Sequence, residues 1–249
     1  MRNIALILSY VGTPFLGWQK TPFGLTIEEA LEKALRPLLG HVPKLQAASR
    51  TDAGVHAEGQ VVNFFTTSSL SLAVLQQALN ATLPREISIR AIQERSLPFH
   101  PTLDCKAKEY RYHICYGPVQ LPFYRQTSWH FPRLLDSARM RVAAHALCGR
   151  HDFSTFCNQR AAWGRSPFCT LQEISIVETS PQRLLLCFIG DHFLYNMVRI
   201  LAGTLAYVGC GKIDPEQIPA ILESKQRANA GKTAPCHGLC LQQVFYDCA

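Results

Sequence analysis

The segment Ala48-Ser49-Arg50-Thr51-Asp52-Ala53-Gly54-Val55-His56-Ala57-Glu58-Gly59 is the densest polar cluster in an otherwise apolar region. It sets a carboxylate, Asp52, two residues from a guanidinium, Arg50, and follows them with small residues that permit close approach of another backbone. A carboxylate in such a setting suits a nucleophile or a stabiliser of developing positive charge. The same residues also make an ordinary turn, with Thr51 and Asp52 satisfying local amides and Arg50 solvated, and spacing alone favours that simpler reading. Farther on, Lys108-Glu109-Tyr110-Arg111-Tyr112 places two tyrosines on one face of a strand. Lys106, Lys108 and Arg111, with Arg139, Arg141, Arg150, Arg160 and Arg165, are candidate phosphate contacts that together predict salt-sensitive binding.

Two further patterns fall short of the motifs they approach. His56-Ala57-Glu58 with Pro235-Cys236 and Cys240 faintly resembles the zinc nucleobase deaminases, but the cysteines stand one residue too far apart. Gly231-Lys232-Thr233 ends like a phosphate-binding loop, yet Gln226 stands where that motif needs its first glycine.

The elements that must position these residues follow from periodicity. Residues 3–10 read as a strand. A helix begins at Thr26, which stands in capping-box spacing with Glu29; Ile27, Ala30, Leu31, Ala34, Leu35 and Leu38 form its apolar face, and Gly40 supplies the stop. Residues 60–65 read as a strand, 72–83 as a helix halted by Pro84, and 86–94 as a strand whose alternation slips between Ala91 and Ile92. A second series starts after the turn at 97–101: a strand over 108–116, a helix over 134–147, a hairpin of 174–178 with 183–189, and a long amphipathic helix over 193–207. A short helix opens at Asp214-Pro215, and 241–246 is a closing strand. The fold class is therefore α+β, with two halves, 1–103 and 104–249, each a mostly antiparallel sheet with helices on one face.

Composition narrows the class. Of 249 residues, 47% are apolar and 17% charged, a globular balance, and the longest apolar runs (4–8 and 184–189) are far shorter than the roughly 20 residues of a membrane-spanning helix. The run after Met1-Arg2 is too short for a secretory leader and reads as a first strand of a cytoplasmic protein. Ten scattered cysteines without a Cys-x-x-Cys pair indicate reduced thiols rather than a disulfide framework. With 25 Lys and Arg against 18 Asp and Glu, the charge of +7 leans toward an anionic partner such as nucleic acid.

Arg50-Thr-Asp-Ala-Gly-Val-His56 resembles the active-site segment of the tRNA pseudouridine synthase A family. Further segments agree in order and spacing: Tyr10-Val-Gly-Thr with Gly17-Trp-Gln19, Asn80-Ala-Thr-Leu-Pro84, Phe99-His100, Lys108-Glu-Tyr-Arg-Tyr112, Asp152-Phe-Ser-Thr-Phe156 and Phe193-Leu-Tyr-Asn-Met-Val-Arg199. Thr233-Ala-Pro235 with Gly238-Leu239 matches as well, so the likeness covers essentially the whole chain. The chain departs from the family pattern at Val11, Ser49, Thr102 and Cys240; at Thr102 the usual arginine after Phe-His is missing.

The resemblance implies an isomerase that converts uridine to pseudouridine at positions 38, 39 and 40 of the tRNA anticodon stem-loop, with no cofactor and no metal. It implies a homodimer in which one tRNA contacts both subunits, and a basic cleft between the halves with the active site on its floor. Breaking the N1–C1′ bond, turning the base and rejoining it through C5 requires a group facing an oxocarbenium-like C1′ or the ring's C6, a task that suits a carboxylate. By resemblance that group is Asp52, kept ionised by Arg199, with Arg50 in the space left by the extruded nucleotide. Tyr110 is implied to stack under the base, with Thr51, His56 and Lys108 completing the substrate contacts. A non-catalytic tRNA-binding or RNA-chaperone module of the same fold is the alternative, and it has no need of Asp52 or Arg199.

Overall fold

The computed structural model describes residues 1–158 and 166–247. The expected phosphate contacts Arg160 and Arg165 and the cysteine at 248 lie outside them. The chain forms two compact units, Met1–Lys106 together with Cys240–Ala249, and Ala107–Leu239. The division differs from the expected 1–103 and 104–249 chiefly in returning the closing segment to the first unit.

The first unit contains β1 (Arg2–Tyr10), α1 (Ile27–Leu39), β2 (Gln46–Ala47), β3 (His56–Thr66), α2 (Leu72–Thr82) and β4 (Ile87–Arg95); β1, α1, α2 and β4 follow the periodicity closely, β3 begins at His56 rather than 60, and the short β2 was not expected. Thr26 caps α1 by accepting from the Glu29 N–H, and the helix closes at Gly40. β1 is central, antiparallel to β3 on one side and β4 on the other. The slip expected in the fourth strand is a bulge: Ile7 pairs with Ala91 and Leu8 with Ile89, leaving Arg90 extra. Asn80 meets the backbone beside that bulge from both directions, its Nδ2 donating to the Ile89 carbonyl (3.0 Å) and its Oδ1 accepting from the Ile89 N–H (2.7 Å).

The second unit begins with β5 (Ala107–Tyr116) and contains β6 (Trp129–Phe131), α3 (Ser137–Leu147), β7 (Gly149–Asp152), β8 (Phe168–Ser180), β9 (Arg183–Gly190), α4 (Met197–Gly209) and α5 (Ile218–Glu223). Its antiparallel order is β5-β9-β8-β7, with β6 parallel to β5. Along β9, Leu184, Leu186 and Phe188 are buried, and α3 and α4 pack together on the unit's sheet. β10 (Leu239–Phe245) then joins the first unit parallel to β3, pairing Cys240 with His56 and Leu241 with Ala57.

In the second unit, several expected elements have different bounds. The helix expected over 193–207 starts at Met197, because Asn196 adopts a left-handed backbone (φ 61) that a helix cannot include. It is also buried nearly all round rather than one-faced, as a helix at the centre of its unit must be. The helix expected from 134 starts at Ser137, where the Asp136 carboxylate accepts from Ala138 and Arg139 N–H. The first hairpin strand reaches back to Phe168, through residues whose alternation is too weak to reveal it.

Asp152-Phe-Ser-Thr-Phe156 serves this core. Phe153 and Phe156 are fully buried, and the Asp152 Oδ1 accepts from Ser154 N–H (3.0 Å) and Oγ–H (2.5 Å) while Oδ2 pairs with Lys225 Nζ (3.1 Å). Burial alone would raise this carboxyl; the Ser154 hydrogen bonds and the Lys225 charge outweigh it and hold it below the ordinary value. Its stabilisation is therefore present above the unfolded aspartate value, about 3.9, and lost as pH falls through the lower folded one. Urea titrations of Asp152→Asn are expected to show a deficit of about 1–2 kcal/mol at pH 7 that closes at the acid end of that window.

Candidate active site

The loop between β2 and β3 is held from beneath by hydrogen bonds to its backbone. Ala48 N–H still donates to the Val61 carbonyl (2.8 Å), as in a sheet. The wholly buried Gln60 then stands in for a strand: its Nε2 donates to the Ser49 carbonyl (2.6 Å) and its Oε1 accepts from the Ser49 N–H (3.2 Å). Thr51 Oγ1 shares a buried 2.8 Å hydrogen bond with the Tyr10 hydroxyl, and the Thr51 carbonyl accepts from Trp18 N–H (3.0 Å). A turn follows in which Val55 N–H donates to the Asp52 carbonyl (3.1 Å) with Gly54 at φ 76, the position that most disfavours a side chain. Gly54 N–H reaches the Phe15 carbonyl (3.3 Å), and the buried His56 accepts from Gly12 N–H through Nδ1 (3.1 Å).

Asp52 and Arg50 are thus presented by a framework fixed on both flanks, Asp52 half-buried and Arg50 exposed. Thr51 and His56 are buried at 7% exposure, with Thr51 Oγ1 turned to Tyr10 and His56 Nδ1 to Gly12, which makes both supports of the turn. The support reaches α1. Gly17 and Trp18 carbonyls accept from Ile27 and Glu28, the first two N–H groups of the helix (3.1 and 3.0 Å), while the same segment lies against Thr51.

In the second unit, Tyr110 and Tyr112 share the inward face of β5, opposite Phe188 and Leu186 of β9. Tyr110, 6% exposed, sets its ring edge-on to Phe193 at 5.1 Å. The Tyr112 hydroxyl donates to the Pro235 carbonyl (2.7 Å), and burial pushes it well above the ordinary phenol value against the opposing pull of Arg199. Arg199, on the first turn of α4, is half-buried and not a helix-surface charge. Its Nε donates to the Ala234 carbonyl (2.8 Å), its Nη1 donates to Asn196 Oδ1 (2.7 Å), and its own carbonyl accepts from Ala234 N–H (3.0 Å). The left-handed turn at Asn196 that shortens α4 is therefore what aims an amide oxygen at the guanidinium. Arg227 fixes the loop that supplies the other partner, donating to the Gly231 carbonyl (2.8 Å), Thr233 Oγ1 (2.9 Å) and Asn158 Oδ1 (2.9 Å).

The expected phosphate contacts separate on inspection. Lys108 is half-buried on β5. Arg111 pairs with the buried Glu109 (2.7 Å), Lys106 with Asp247 (2.9 Å) and Arg139 with Asp214 (2.8 Å), so these cations carry partners of their own. Arg141 donates to the Ile176 carbonyl (3.1 Å), and Arg150 lies over the Phe168 ring (5.7 Å). Sequence reasoning passed over Gln60, Asn196 and Arg227. For Gln60 the signal was present, a polar residue within the apolar run of β3, since buried amides exist to satisfy something.

A second constellation invites comparison. His192 places Nε2 3.3 Å from Cys169 Sγ and Nδ1 2.9 Å from Asp191 Oδ1. Nucleophilic catalysis would need an exposed thiolate; Cys169 is wholly buried, and burial with the Asp191 charge pushes its thiol up to about 12. The cluster ties β8 to the end of β9 instead. Among the described residues, no three His, Cys, Asp or Glu side chains gather as metal ligands. The hollow against α1, lined in part by Lys20, Glu29, Glu32 and Lys33, has walls that pair their charges with one another, and none of the candidate site residues lines it.

The family model for "tRNA pseudouridine synthase" matches residues 6–104 and 143–247. Among curated proteins, the chain is 48% identical to "tRNA pseudouridine synthase A 2" of Protochlamydia amoebophila over 99% of its length and 95% of the relative. It is 44% identical to "tRNA pseudouridine synthase A" of Geotalea uraniireducens over 99% of its length and all of the relative. The solved structure of a Cbf5-Nop10-Gar1 complex aligns with 98% of this chain and 50% of its own, at 13% identity and a TM-score of 0.40, a likeness too slight to bear on the site.

Gly17 has φ 87, and a methyl group there would stand 2.7 Å from the Thr51 carbonyl oxygen. Gly17→Ala is expected to destabilise the first unit by about 1–3 kcal/mol, read as a lower urea midpoint. A midpoint equal to that of the unaltered protein would show that this brace is dispensable.

Proposed function

The chain belongs to the tRNA pseudouridine synthase family and is an isomerase that makes pseudouridine in tRNA; we propose that its targets are uridines 38, 39 and 40 of the anticodon stem-loop, with Asp52 as the catalytic carboxylate. The observation that carries this reading is the Asp52 turn itself. Its flanking backbone and supporting side chains are engaged with Gln60, Tyr10, Trp18, Phe15 and Gly12, so the half-buried carboxylate is offered on a preset frame.

The reaction breaks N1–C1′ and forms C5–C1′; N1 ends protonated and the C5 hydrogen leaves as a proton. An ionised carboxylate at C1′ offsets the oxocarbenium charge, and at C6 it forms a covalent adduct that turns with the base. In this reading Arg199 is the cation that keeps Asp52 ionised, fixed in its own unit by Asn196 and Ala234. Tyr110 stacks beneath the extruded uracil, Arg50 fills the vacated space, and Lys108 meets a phosphate. The enzyme acts as a cytoplasmic homodimer whose two subunits share one tRNA. No helix among the described residues is long and apolar enough to cross a membrane.

Tritium release from an anticodon stem-loop labelled at uracil C5 tests the assignment, since C5 loses its hydrogen only when the glycosidic bond is remade there. Wild type is expected to release tritium and Asp52→Asn to stay at background. Full release by the variant would sink the catalytic role of Asp52, and tight salt-sensitive binding by a wild type that releases nothing would favour an RNA-binding module. Arg227→Ala, which removes three donors from the loop holding Arg199, is expected to lower kcat about 10- to 100-fold with KM nearly unchanged. Arg227→Lys should restore it only in part, because a point charge cannot span Gly231, Thr233 and Asn158 together.

A further inference from the structure

Residues 117–128, which join β5 to β6, expose three large apolar side chains: Phe123 at 88%, Val119 at 70% and Leu121 at 56%. A floppy loop would fold such residues under it; this one is built to hold them out. Pro118 and Pro122 restrict its backbone, and a short 3-10 turn spans Pro122–Tyr124. The Tyr124 carbonyl accepts from Ser128 N–H (2.9 Å), Ser128 Oγ–H (2.7 Å) and Thr127 N–H (3.2 Å), and Gln120 Nε2 donates to the Ser128 carbonyl (3.3 Å). The Arg183 guanidinium lies 3.7 Å over the Tyr124 ring, pinning the loop to the β8–β9 hairpin. Gly117 N–H closes the base on the Phe131 carbonyl (3.0 Å).

The charge around this tip has one sign. No Asp or Glu occurs from residue 110 to residue 135, whereas Arg125 and Arg133 are exposed and have no acidic partner among the described residues. The neighbouring carboxylates are committed: Asp136 caps α3, and Glu178 accepts from Ser137 Oγ (2.5 Å). An aromatic ring held out on a braced backbone, beside guanidinium groups without acidic partners among the described residues, fits an unpaired base stacked on the ring with its phosphates on the arginines. An apolar protein partner would leave those charges uncompensated.

We infer that residues 117–128 are a second RNA contact, in which Phe123 stacks on an unpaired tRNA base and Arg125 binds the adjoining phosphate. The inference rests on the tRNA reading above and extends it to a place that the chemistry does not use. Tyr116 lies six positions beyond Tyr110 on β5, so the loop starts roughly 20 Å along the strand from the proposed base platform. It grips the substrate away from the reacting uridine.

The test is fluorescence anisotropy with a whole tRNA transcript across about 50–200 mM salt, for wild type, Phe123→Ala, Phe123→Trp and Arg125→Gln, with pseudouridine formation measured in parallel. Phe123→Ala is expected to weaken binding about 5- to 150-fold, the cost of one lost base stack, with the defect carried by KM. Phe123→Trp should bind as wild type, and Arg125→Gln should lower the salt slope by about 0.7–0.9. Binding by Phe123→Ala within twofold of wild type would overturn the inference. So would an unchanged affinity accompanied by a shifted sedimentation coefficient, which would assign the loop to contact between copies of the chain. A wild type that forms no pseudouridine while Phe123→Ala loses affinity would remove the isomerase target and leave the RNA contact standing. Normal pseudouridine formation with unaltered Phe123→Ala binding would do the reverse.

Discussion

A loop can be buried only if its backbone polar groups find partners, because each unsatisfied one costs about as much as a lost hydrogen bond. The segment before β3 meets that requirement with unusual side chains for a strand interior. Gln60 substitutes for a neighbouring strand at Ser49, Tyr10 meets Thr51, and His56 receives Gly12. With those groups satisfied from below, the half-buried Asp52 sits on a backbone held on both flanks. The tight approach of the Gly17-Trp18 segment and the start of α1 follow from the same need.

The second unit applies a related logic to a cation. Arg199 is anchored within its own unit by an amide oxygen and a backbone carbonyl, two partners that fix its position without carrying a compensating charge. The contrast with Arg111 is instructive, since Glu109 lies two residues away on the same strand face and takes up that charge. A positive net charge therefore overstates what is available to an anion.

Much of this was legible in the sequence. The Thr26 cap, the apolar face of α1 and the slip near Ala91 depend on local spacing, and each appears where spacing puts it. The seven residues around Asp52 were legible as a motif, but their supports were not, because Tyr10, Gln60 and His56 acquire partners only through strand pairing and a distant turn. The start of α4 was misread for a local reason of another kind: Phe193 and Leu194 continue the apolar pattern, while the left-handed backbone at Asn196 answers to Arg199. Likewise no periodicity in Leu239–Phe245 reveals which unit it will join.

That parallel pairing of β10 with β3 has a bearing on synthesis. Cys240 is made 184 residues after His56, its partner, and the whole second unit is translated between them. While the ribosome is working, the edge of β3 next to the Asp52 turn lacks that neighbour, and an unpaired edge is both slow to close over such a distance and open to other strands. A nascent chain stalled in the second unit therefore carries the motif but not its finished sheet. The fold ties completion of the Asp52 loop's frame to completion of translation, so that truncated products are left open at the strand that follows it.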